Sequence, residues 1–463
     1  MFKSNIILLL SSLFSSLLLA KTAPLIPDRP QPVSSLGAKL ITEITAKGQK
    51  IDAVALEYED NLLSGDELQG IYQVEVSLDG KPLGERQVIK AYSMDTTALS
   101  PTPKPGKFII LELNKNADKN SDLYSLKTEN SEPMPFRAKN EQGQIITKQI
   151  VQSNRVPEYY NGRLSYSIKQ QGLLKLANGK TLAPSAVTIT AEPQNLVNPQ
   201  LDRFKAEQVH LTDSQNSLHY RLYTPINSTP TSAVQKKFPL TIFLHGSGQL
   251  GQDNIAQLLS SQGAISTLKY EDGFVLAPQY ASVFDPFDDI NKGQKGGIHW
   301  QTENRRALLL AMIDKTLQQN PEIDQDRIYL VGLSRGAEGA LYLLLDRPHF
   351  FAAALLMGGR EAYTIEWIDG NATKENLATV KNIPIWFFHS KEDKVSPVDG
   401  SRINYQILSQ QLQSTSAKYT EFSFEQVGDN GILNNNPHNT WDAVFNSPEV
   451  NLWLLKQRKQ SVH

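Results

Sequence analysis

The sequence predicts two domains, an all-β sandwich followed by an α/β domain with a mostly parallel sheet. Three observations lead to this prediction. The chain has 463 residues, more than one hydrophobic core usually serves. Up to about residue 192, short alternating apolar and polar runs are separated by turn dipeptides. From about residue 206, apolar runs alternate with helical patterns, which is typical of βαβ units.

Residues 35–192 are predicted to form the antiparallel sandwich. Turn signals divide this region, namely Asp79-Gly80, Asn161-Gly162 and Asn178-Gly179. Between them lie the candidate strands, at residues 53–58, 71–76, 108–113, 164–168 and 187–190.

The N-terminus has the pattern of a signal peptide over residues 1–20. Lys3 supplies the positive charge, residues 6–19 are apolar, and Ala20 is a suitable cleavage position. Residues 21–34 contain several prolines and are predicted to be a flexible lead. We therefore expect an exported protein, periplasmic or extracellular. An uncleaved anchor is the alternative, because Leu18 is a poor match for the small residue before a cleavage site.

A segment rich in Asn and Pro, residues 193–205, is predicted to link the two domains. Residues 206–463 then form the α/β domain, which begins with a hairpin of runs 207–211 and 218–223. No later segment is apolar and long enough to span a bilayer.

Composition excludes several classes of function. The formal net charge is −2 and no basic stripe is present, so we expect no nucleic-acid partner. Cysteine is absent, which removes disulfides and thiolate metal sites. No motif calls for a metal or an organic cofactor, and the oligomeric state is left open.

The most informative motif is Gly-Leu-Ser-Arg-Gly at residues 332–336. A strand-like apolar run, 327–331, precedes it, and a helical pattern, 337–345, follows. A serine between two glycines at a strand-to-helix turn is typical of a nucleophile elbow, which presents the serine oxygen above the sheet. Ser334 is therefore the candidate nucleophile.

A serine nucleophile needs a base, and the base needs an acid that fixes its orientation. Asp393 follows the strand-like run 383–389 and is the first choice of acid, with Glu392 and Asp399 as alternatives. His438 is the only histidine between His389 and the last residue. The chain order Ser334, Asp393, His438 is the order in which such residues follow one another in the α/β-hydrolase fold.

An oxyanion hole is predicted from the glycine-containing turn at residues 245–248, which follows the strand-like run 238–244. Glycines let backbone N–H groups approach a developing oxyanion. The expected donors are the N–H groups of Ser247 and Arg335. His245 and His389 are interpreted as structural hydrogen-bonding residues.

Two tryptophans are candidates for the substrate pocket. Trp300 ends a long irregular stretch, 279–300, and loops of this length are often functional. Trp441 follows His438 by three residues.

Residues 235–459 resemble a secreted bacterial α/β-hydrolase family, described as predicted peptidases or as phospholipase/carboxylesterase-like. The similar stretches are 240–254, 274–279, 326–336, 351–359, 383–397 and 438–441. The resemblance implies an α/β-hydrolase fold and assigns the nucleophile to Ser334, the acid to Asp393 and the base to His438. The chain departs from the family at Arg335-Gly336-Ala337, where Met-Gly-Gly is usual, and in a longer Asn-rich segment at 428–437.

The first domain resembles the immunoglobulin-like N-terminal domain of some secreted esterases, on its strand pattern and on residues 106–113. Together the two resemblances imply a secreted serine hydrolase that cleaves small-molecule or polymeric carboxylic esters through an acyl-enzyme. A serine peptidase of the same fold is the alternative, since both use one triad. A surface- or polymer-binding protein with an inactive hydrolase domain is the second alternative.

Overall fold

The computed structural model describes residues 37–460, apart from 116–117, 152, 213–214, 227–235, 289–292 and 428–435. The predicted signal peptide and flexible lead lie outside the described residues. So does most of the Asn-rich segment before His438. Within the described part, no helix is both long and apolar enough to cross a membrane.

Up to residue 197 the described chain consists of strands, two short 3₁₀ helices (Asp66–Ile71 and Pro193–Asn195) and one single-turn α-helix, α1 (Asp118–Ser121). The first strands are β1 (Gly37–Thr45), β2 (Gly48–Leu62), β3 (Tyr72–Leu78), β4 (Lys81–Arg86), β5 (Val88–Met94), β6 (Gly106–Leu113), β7 (Tyr124–Asn130) and β8 (Met134–Lys139). The others are β9 (Ile145–Ile150), β10 (Ser153–Tyr159), β11 (Leu164–Gln170), β12 (Leu174–Lys175), β13 (Thr181–Leu182), β14 (Ala186–Thr190) and β15 (Leu196–Val197). All five predicted strand runs fall on strands of the structure.

Two sheets pack face to face in this region. One has the order β15-β1-β2-β6-β5 and the other the order β14-β11-β3-β4. Residues of both sheets, such as Leu56, Val74 and Tyr166, bury their side chains in a shared core. Alternate residues of each strand face that core, which explains the alternating sequence pattern. The all-β, immunoglobulin-like sandwich is confirmed.

The segment predicted as a linker, residues 193–205, carries structure of its own. Strand β15 pairs in parallel with β1, where Leu196 lies opposite Leu40 and Val197 opposite Ile41. The next strand, β16 (Phe204–His210), already belongs to the second domain. The chain therefore passes from one sheet to the other within a few residues, and the exact domain boundaries stay a prediction.

The second domain is built on one eight-stranded sheet. Its further strands are β17 (Ser217–Tyr223), β18 (Phe238–Leu244), β19 (Phe274–Gln279), β20 (Ile323–Leu333), β21 (Ala353–Met357), β22 (Ile385–Ser390) and β23 (Ala417–Phe422). The helices are α2 (Ala256–Leu259), α3 (Glu303–Gln319), α4 (Arg335–Asp346), α5 (Lys374–Leu377), α6 (Asp399–Gln406), α7 (Trp441–Asn446) and α8 (Pro448–Lys456).

The strand order of this sheet is β16-β17-β19-β18-β20-β21-β22-β23. The first two strands pair antiparallel, β17 is antiparallel to β19, and every later pair is parallel. The predicted opening hairpin and the mostly parallel sheet are thus confirmed, as is the α/β-hydrolase fold class.

Hydrophobic cores cover both faces of the sheet. In β20, Ile328 and Leu330 face one core, whereas Tyr329 and Val331 face the other. Burial on both faces explains why the parallel strands are continuously apolar. The carboxyl ends of β18, β20 and β22 lie at one edge of the sheet, so the loops that follow these strands come together there.

The first domain reaches this edge through the hairpin of β8 and β9. Phe136 of β8 is fully buried with Val283 and Ile298 of the second domain. The Phe136 ring also lies 4.4 Å from that of Trp367, measured between ring centroids. A small hydrophobic cluster therefore joins the two domains beside the functional edge.

Candidate active site

The predicted nucleophile elbow lies between β20 and α4. Ser334 connects the two with φ 51° and ψ −119°, a backbone conformation that costs energy for a residue other than glycine. A side chain at Gly332 would collide with the backbone of Gly336, and one at Gly336 would collide with the carbonyl of Leu244. Only glycine permits so tight a turn at these two positions.

The structure brings Ser334, His438 and Asp393 together, although they come from three separate loops. Nε2 of His438 lies 3.0 Å from Oγ of Ser334. Nδ1 of the same ring lies 2.7 Å from Oδ2 of Asp393. A serine, an imidazole and a carboxylate in this sequence of contacts form the arrangement in which the base can accept the serine proton.

Asp393 is held by four donors. Its Oδ1 accepts hydrogen bonds from the N–H groups of Val395, at 2.8 Å, and Ser396, at 2.9 Å. Its Oδ2 lies near His438 and also 3.0 Å from Nε2 of His389. Burial alone would raise the pKa of Asp393, but the hydrogen bonds from His389 and His438 bring this pKa well below its usual range. The carboxylate is therefore ionised at neutral pH.

The two alternative acids lie elsewhere. Glu392 accepts hydrogen bonds from Oγ of Ser390 and from the N–H of Phe424. The side chain of Asp399 is 72% exposed and pairs with Arg402. Neither has a recorded contact with His438, so the geometry favours Asp393 as the partner of the base.

His389 is a residue whose position the sequence reasoning did not foresee. Its ring is fully buried, and Nε2 lies 2.9 Å from the carbonyl of Ser396 as well as close to Asp393. Both neighbours are acceptors, so we assign the proton to Nε2. Nδ1 then accepts from Oγ of Ser401 at 2.8 Å. His389 therefore has a specific structural role, because it helps to hold the carboxylate of Asp393 in place.

The two predicted oxyanion donors occupy helix starts. Ser247 is the first residue of the 3₁₀ turn Ser247–Gln249, and Arg335 is the first residue of α4. N–H groups in a first turn have no partner within their own helix and are available to a ligand. A Cβ at Gly246 would lie 3.3 Å from Cβ of Ser334, which shows how closely this loop approaches the nucleophile.

A cavity of about 240 Å³ opens over Ser334. Both residues of the predicted oxyanion hole line it, together with Trp367 and with Val395 from the loop after β22. Part of the wall comes from the first domain, through Ile150 at the end of β9 and Val151 just after it. No sequence pattern linked this hairpin to a serine almost 200 residues away.

Arg335, where the chain departs from the related family, is charge-compensated inside the cavity wall. Its guanidinium group lies 2.8 Å from the buried carboxylate of Glu338 and stacks over the ring of Trp367. Gln301 donates to Glu338 at 2.9 Å and accepts from the N–H of Glu366 at 2.8 Å. The arginine is therefore part of a fixed network beside the nucleophile.

The prediction that Trp300 walls the pocket is wrong. Its side chain is fully buried, and its indole N–H donates to the carbonyl of His245 at 2.9 Å. A Cβ at Gly339 in α4 would touch the indole, which shows that the ring fills space behind the nucleophile helix. Of its neighbours, His299 does line the cavity.

The other predicted residues lie where they can support the site. The ring of Trp441 meets that of His438 edge-on, at 5.2 Å between centroids, so Trp441 packs against the base. His245 is fully buried, with Nδ1 2.6 Å from the carbonyl of Gly246. Burial lowers the pKa of His245 to about 4, so it is an uncharged structural residue near neutral pH.

Two family models and one solved structure agree with this fold. Residues 37–183 match the model of the esterase Ig-like N-terminal domain, and residues 230–430 match the phospholipase/carboxylesterase family. A thermostable esterase of known structure is 24% identical, with a TM-score of 0.68 over 91% of this chain and 99% of its own. A ferulic acid esterase from Anaeromyces mucronatus is 14% identical, with a TM-score of 0.40 over 56% of this chain and 92% of its own. No curated protein sequence matches the chain.

Fold and family together define a two-domain ester-bond hydrolase of the carboxylesterase class. The α/β domain is thus similar to the phospholipase/carboxylesterase family, and the sandwich in front of it is similar to the esterase Ig-like domain.

Proposed function

We propose that this protein is an exported serine hydrolase that cleaves carboxylic esters, small or polymeric, through an acyl-enzyme intermediate. One observation carries the proposal. Ser334, His438 and Asp393 form a continuous chain of contacts, at 3.0 Å and 2.7 Å, and Ser334 lines a cavity. An ester carbonyl placed in that cavity would have the nucleophile below it and two first-turn N–H groups beside it.

In the acylation step, Nε2 of His438 accepts the proton of Ser334 while Oγ bonds to the ester carbonyl carbon. The resulting oxyanion would be stabilised by the N–H groups of Ser247 and Arg335. Asp393 fixes the tautomer of His438 and stabilises the imidazolium. His438 then protonates the leaving alcohol as the carbon–oxygen bond breaks.

In the deacylation step, a water molecule takes the place of the alcohol. His438 accepts a proton from this water, whose oxygen bonds to the acyl carbon. Collapse of the second oxyanion returns the proton to Oγ of Ser334 and releases the carboxylic acid. The residues named here carry out both steps without a further group.

Export is part of the proposal and rests on the sequence of residues 1–20. N-terminal sequencing of protein from a bacterial expression host, with periplasm and cytoplasm separated, tests it. We expect a periplasmic or extracellular protein that begins at Lys21. A cytoplasmic protein with an intact N-terminus would contradict this part.

The activity itself is tested with purified full-length protein on p-nitrophenyl acetate, p-nitrophenyl butyrate and a set of peptide p-nitroanilides. We expect ester hydrolysis well above peptide hydrolysis, and stoichiometric labelling of Ser334 by a fluorophosphonate, located by peptide mass spectrometry. Labelling at another serine would overturn the assignment. Faster cleavage of anilides than of esters would favour a peptidase, and no reaction with either would favour a binding protein.

A further inference from the structure

The cavity over Ser334 is assembled from both domains. Ile150 and Val151 of the first domain line it together with Val395 and Trp367 of the second. Val151 and Val395 remain 49% and 66% exposed, so each domain contributes an apolar side chain to the rim. An exposed apolar rim around a reactive serine is suited to an apolar group of a substrate.

The wall formed by the hairpin is fixed in place. Nε of Arg137 donates to Oε1 of Glu366 at 2.7 Å, and the backbone N–H of Arg137 donates to Oε2 at 2.5 Å. Glu366 is buried and precedes Trp367, against which Phe136 packs. A side chain and a backbone group thus anchor the same strand that leads into the β8–β9 turn, so the wall has a defined position.

The position of the base shows which half of an ester this cavity would hold. The leaving alcohol must lie beside Nε2 of His438, which protonates it. His438 does not line the cavity, whereas Ser334 and both oxyanion residues do. The cavity is therefore on the side of the acyl group.

The size and charge of the cavity further restrict the acyl groups that it can hold. A volume of about 240 Å³ is small beside the roughly 300–1,000 Å³ of pockets that hold drug-sized ligands. The cationic side chains in the wall are compensated, since Arg335 pairs with Glu338 and Arg360 with Asp369. The site is thus suited to a short, uncharged acyl chain.

We propose that Ile150 and Val151, supplied by the immunoglobulin-like domain, determine the acyl-chain length that the enzyme accepts. They close the outer end of the acyl cavity and restrict substrates to esters of short, neutral acids. The inference rests on the proposed esterase function and assigns the first domain a direct part in substrate choice.

The experiment compares kcat/KM for p-nitrophenyl acetate, butyrate and octanoate, which share one alcohol. The full-length variants are Ile150→Ala and Val151→Ala, and Ile145→Ala serves as the control. Ile145 begins the same strand, is 62% exposed and does not line the cavity. We expect wild type to prefer the short esters. Each wall variant should raise the octanoate-to-acetate ratio about tenfold, because pocket contacts of one or a few methylenes change kcat/KM about 10- to 200-fold.

Val151→Trp tests the opposite change, because it makes the cavity smaller. Since Val151 is half exposed, we expect this variant to fold. It should lower activity on butyrate more than on acetate. Ratios within twofold of wild type in all three wall variants would overturn the inference while the esterase function stands. An equal change in Ile145→Ala would also overturn it, because the effect would not depend on the cavity wall. Wild-type protein that hydrolyses none of the three esters would instead overturn the proposed function.

Discussion

The two sides of the cavity over Ser334 are built in different ways. The inner side is Ser334, which lines the cavity, together with His438 and Asp393 behind it, and hydrogen bonds join the three residues. The outer side consists of the apolar side chains of Ile150 and Val151, which belong to the other domain. They line the cavity without forming hydrogen bonds through their side chains. The contribution of the inner side depends on the position of single atoms, whereas that of the outer side depends on the volume that the side chains leave for a substrate.

Because the two sides differ in this way, we expect mutations on them to change different kinetic quantities. Loss of a hydrogen-bonding atom on the inner side removes an interaction with the transition state, which lowers kcat for every ester. A change of volume on the outer side alters the ranking of esters and leaves the chemical step intact. The predictions below test this distinction.

The largest effect is expected for Ser334→Ala. The variant should lose at least about 10⁴-fold in kcat on p-nitrophenyl acetate, because no covalent intermediate can form. The loss should be the same for all chain lengths. Circular dichroism and thermal melting check that the fold is retained. A variant with near-normal turnover would refute the role of Ser334.

A smaller but still large loss, on the order of 10³-fold in kcat, is expected for Asp393→Asn. An amide cannot accept hydrogen bonds from four donors at two oxygens, so the tautomer of His438 is no longer fixed. Glu392→Gln is the matched control, and it should change kcat less than about threefold. The reverse ranking would show that Glu392 is the acid.

His389→Phe is expected to lower kcat by about tenfold to a hundredfold with little change in KM, because it removes one charge-assisted hydrogen bond to Asp393. His389→Gln retains an N–H donor and should recover a substantial part of the loss. If both variants lose the same activity in steady-state assays, His389 contributes packing only. Thermal melts separate that effect from unfolding.

Much of the fold and of the inner side could be predicted from the sequence. The motif around Ser334, the strand ends before Asp393 and the order of the three residues are local patterns with a physical cause. The runs at residues 218–223 and 238–244 fall on β17 and β18. Such features depend on near neighbours in the chain.

The outer side could not be predicted in this way. Ile150 contacts the cavity through the docking of one domain on another, and nothing near it in sequence indicates that contact. The prediction that Trp300 lines the pocket failed for a related reason. A large aromatic residue at the end of a long loop is equally compatible with a pocket wall and with a position in the core. Its indole N–H has a partner in the carbonyl of His245, which allows it to be fully buried.

Arg137→Ala tests how firmly the outer wall is held. Arg137 is one-third exposed, so we expect a moderate loss of stability, about 1–2 kcal/mol, seen as a lower Tm. The octanoate-to-acetate ratio should rise a few-fold, while kcat on acetate stays within about threefold of wild type. Arg163→Ala is the control, since Arg163 forms an exposed ion pair with Asp79. An unchanged ratio would show that the ion pair does not position the wall.

The smallest effect concerns a carboxylate in α7, the helix that follows His438. The carboxylate of Asp442, the residue after Trp441, accepts a hydrogen bond from Nδ2 of Asn439 at 2.7 Å, whereas that of Asp393 accepts two from side chains and two from backbone N–H groups. Because few hydrogen bonds stabilise its charged form, burial raises the pKa of Asp442 from 3.8 to about 6. The folded state therefore binds more protons than the unfolded state between about pH 4 and pH 6.

Over that window the free energy of unfolding should fall as pH rises, and above about pH 6 this contribution should stay at its lower value. Asp442→Asn removes the titration, so the variant should gain about 1–2 kcal/mol on wild type between pH 4 and pH 7. Urea unfolding at intervals of one pH unit measures the difference. Asp399→Asn, at an exposed carboxylate, should show no such trend. Parallel curves for wild type and Asp442→Asn would mean that Asp442 titrates as it does in the unfolded chain. The number of hydrogen-bond donors would then not explain why the pKa values of Asp393 and Asp442 differ.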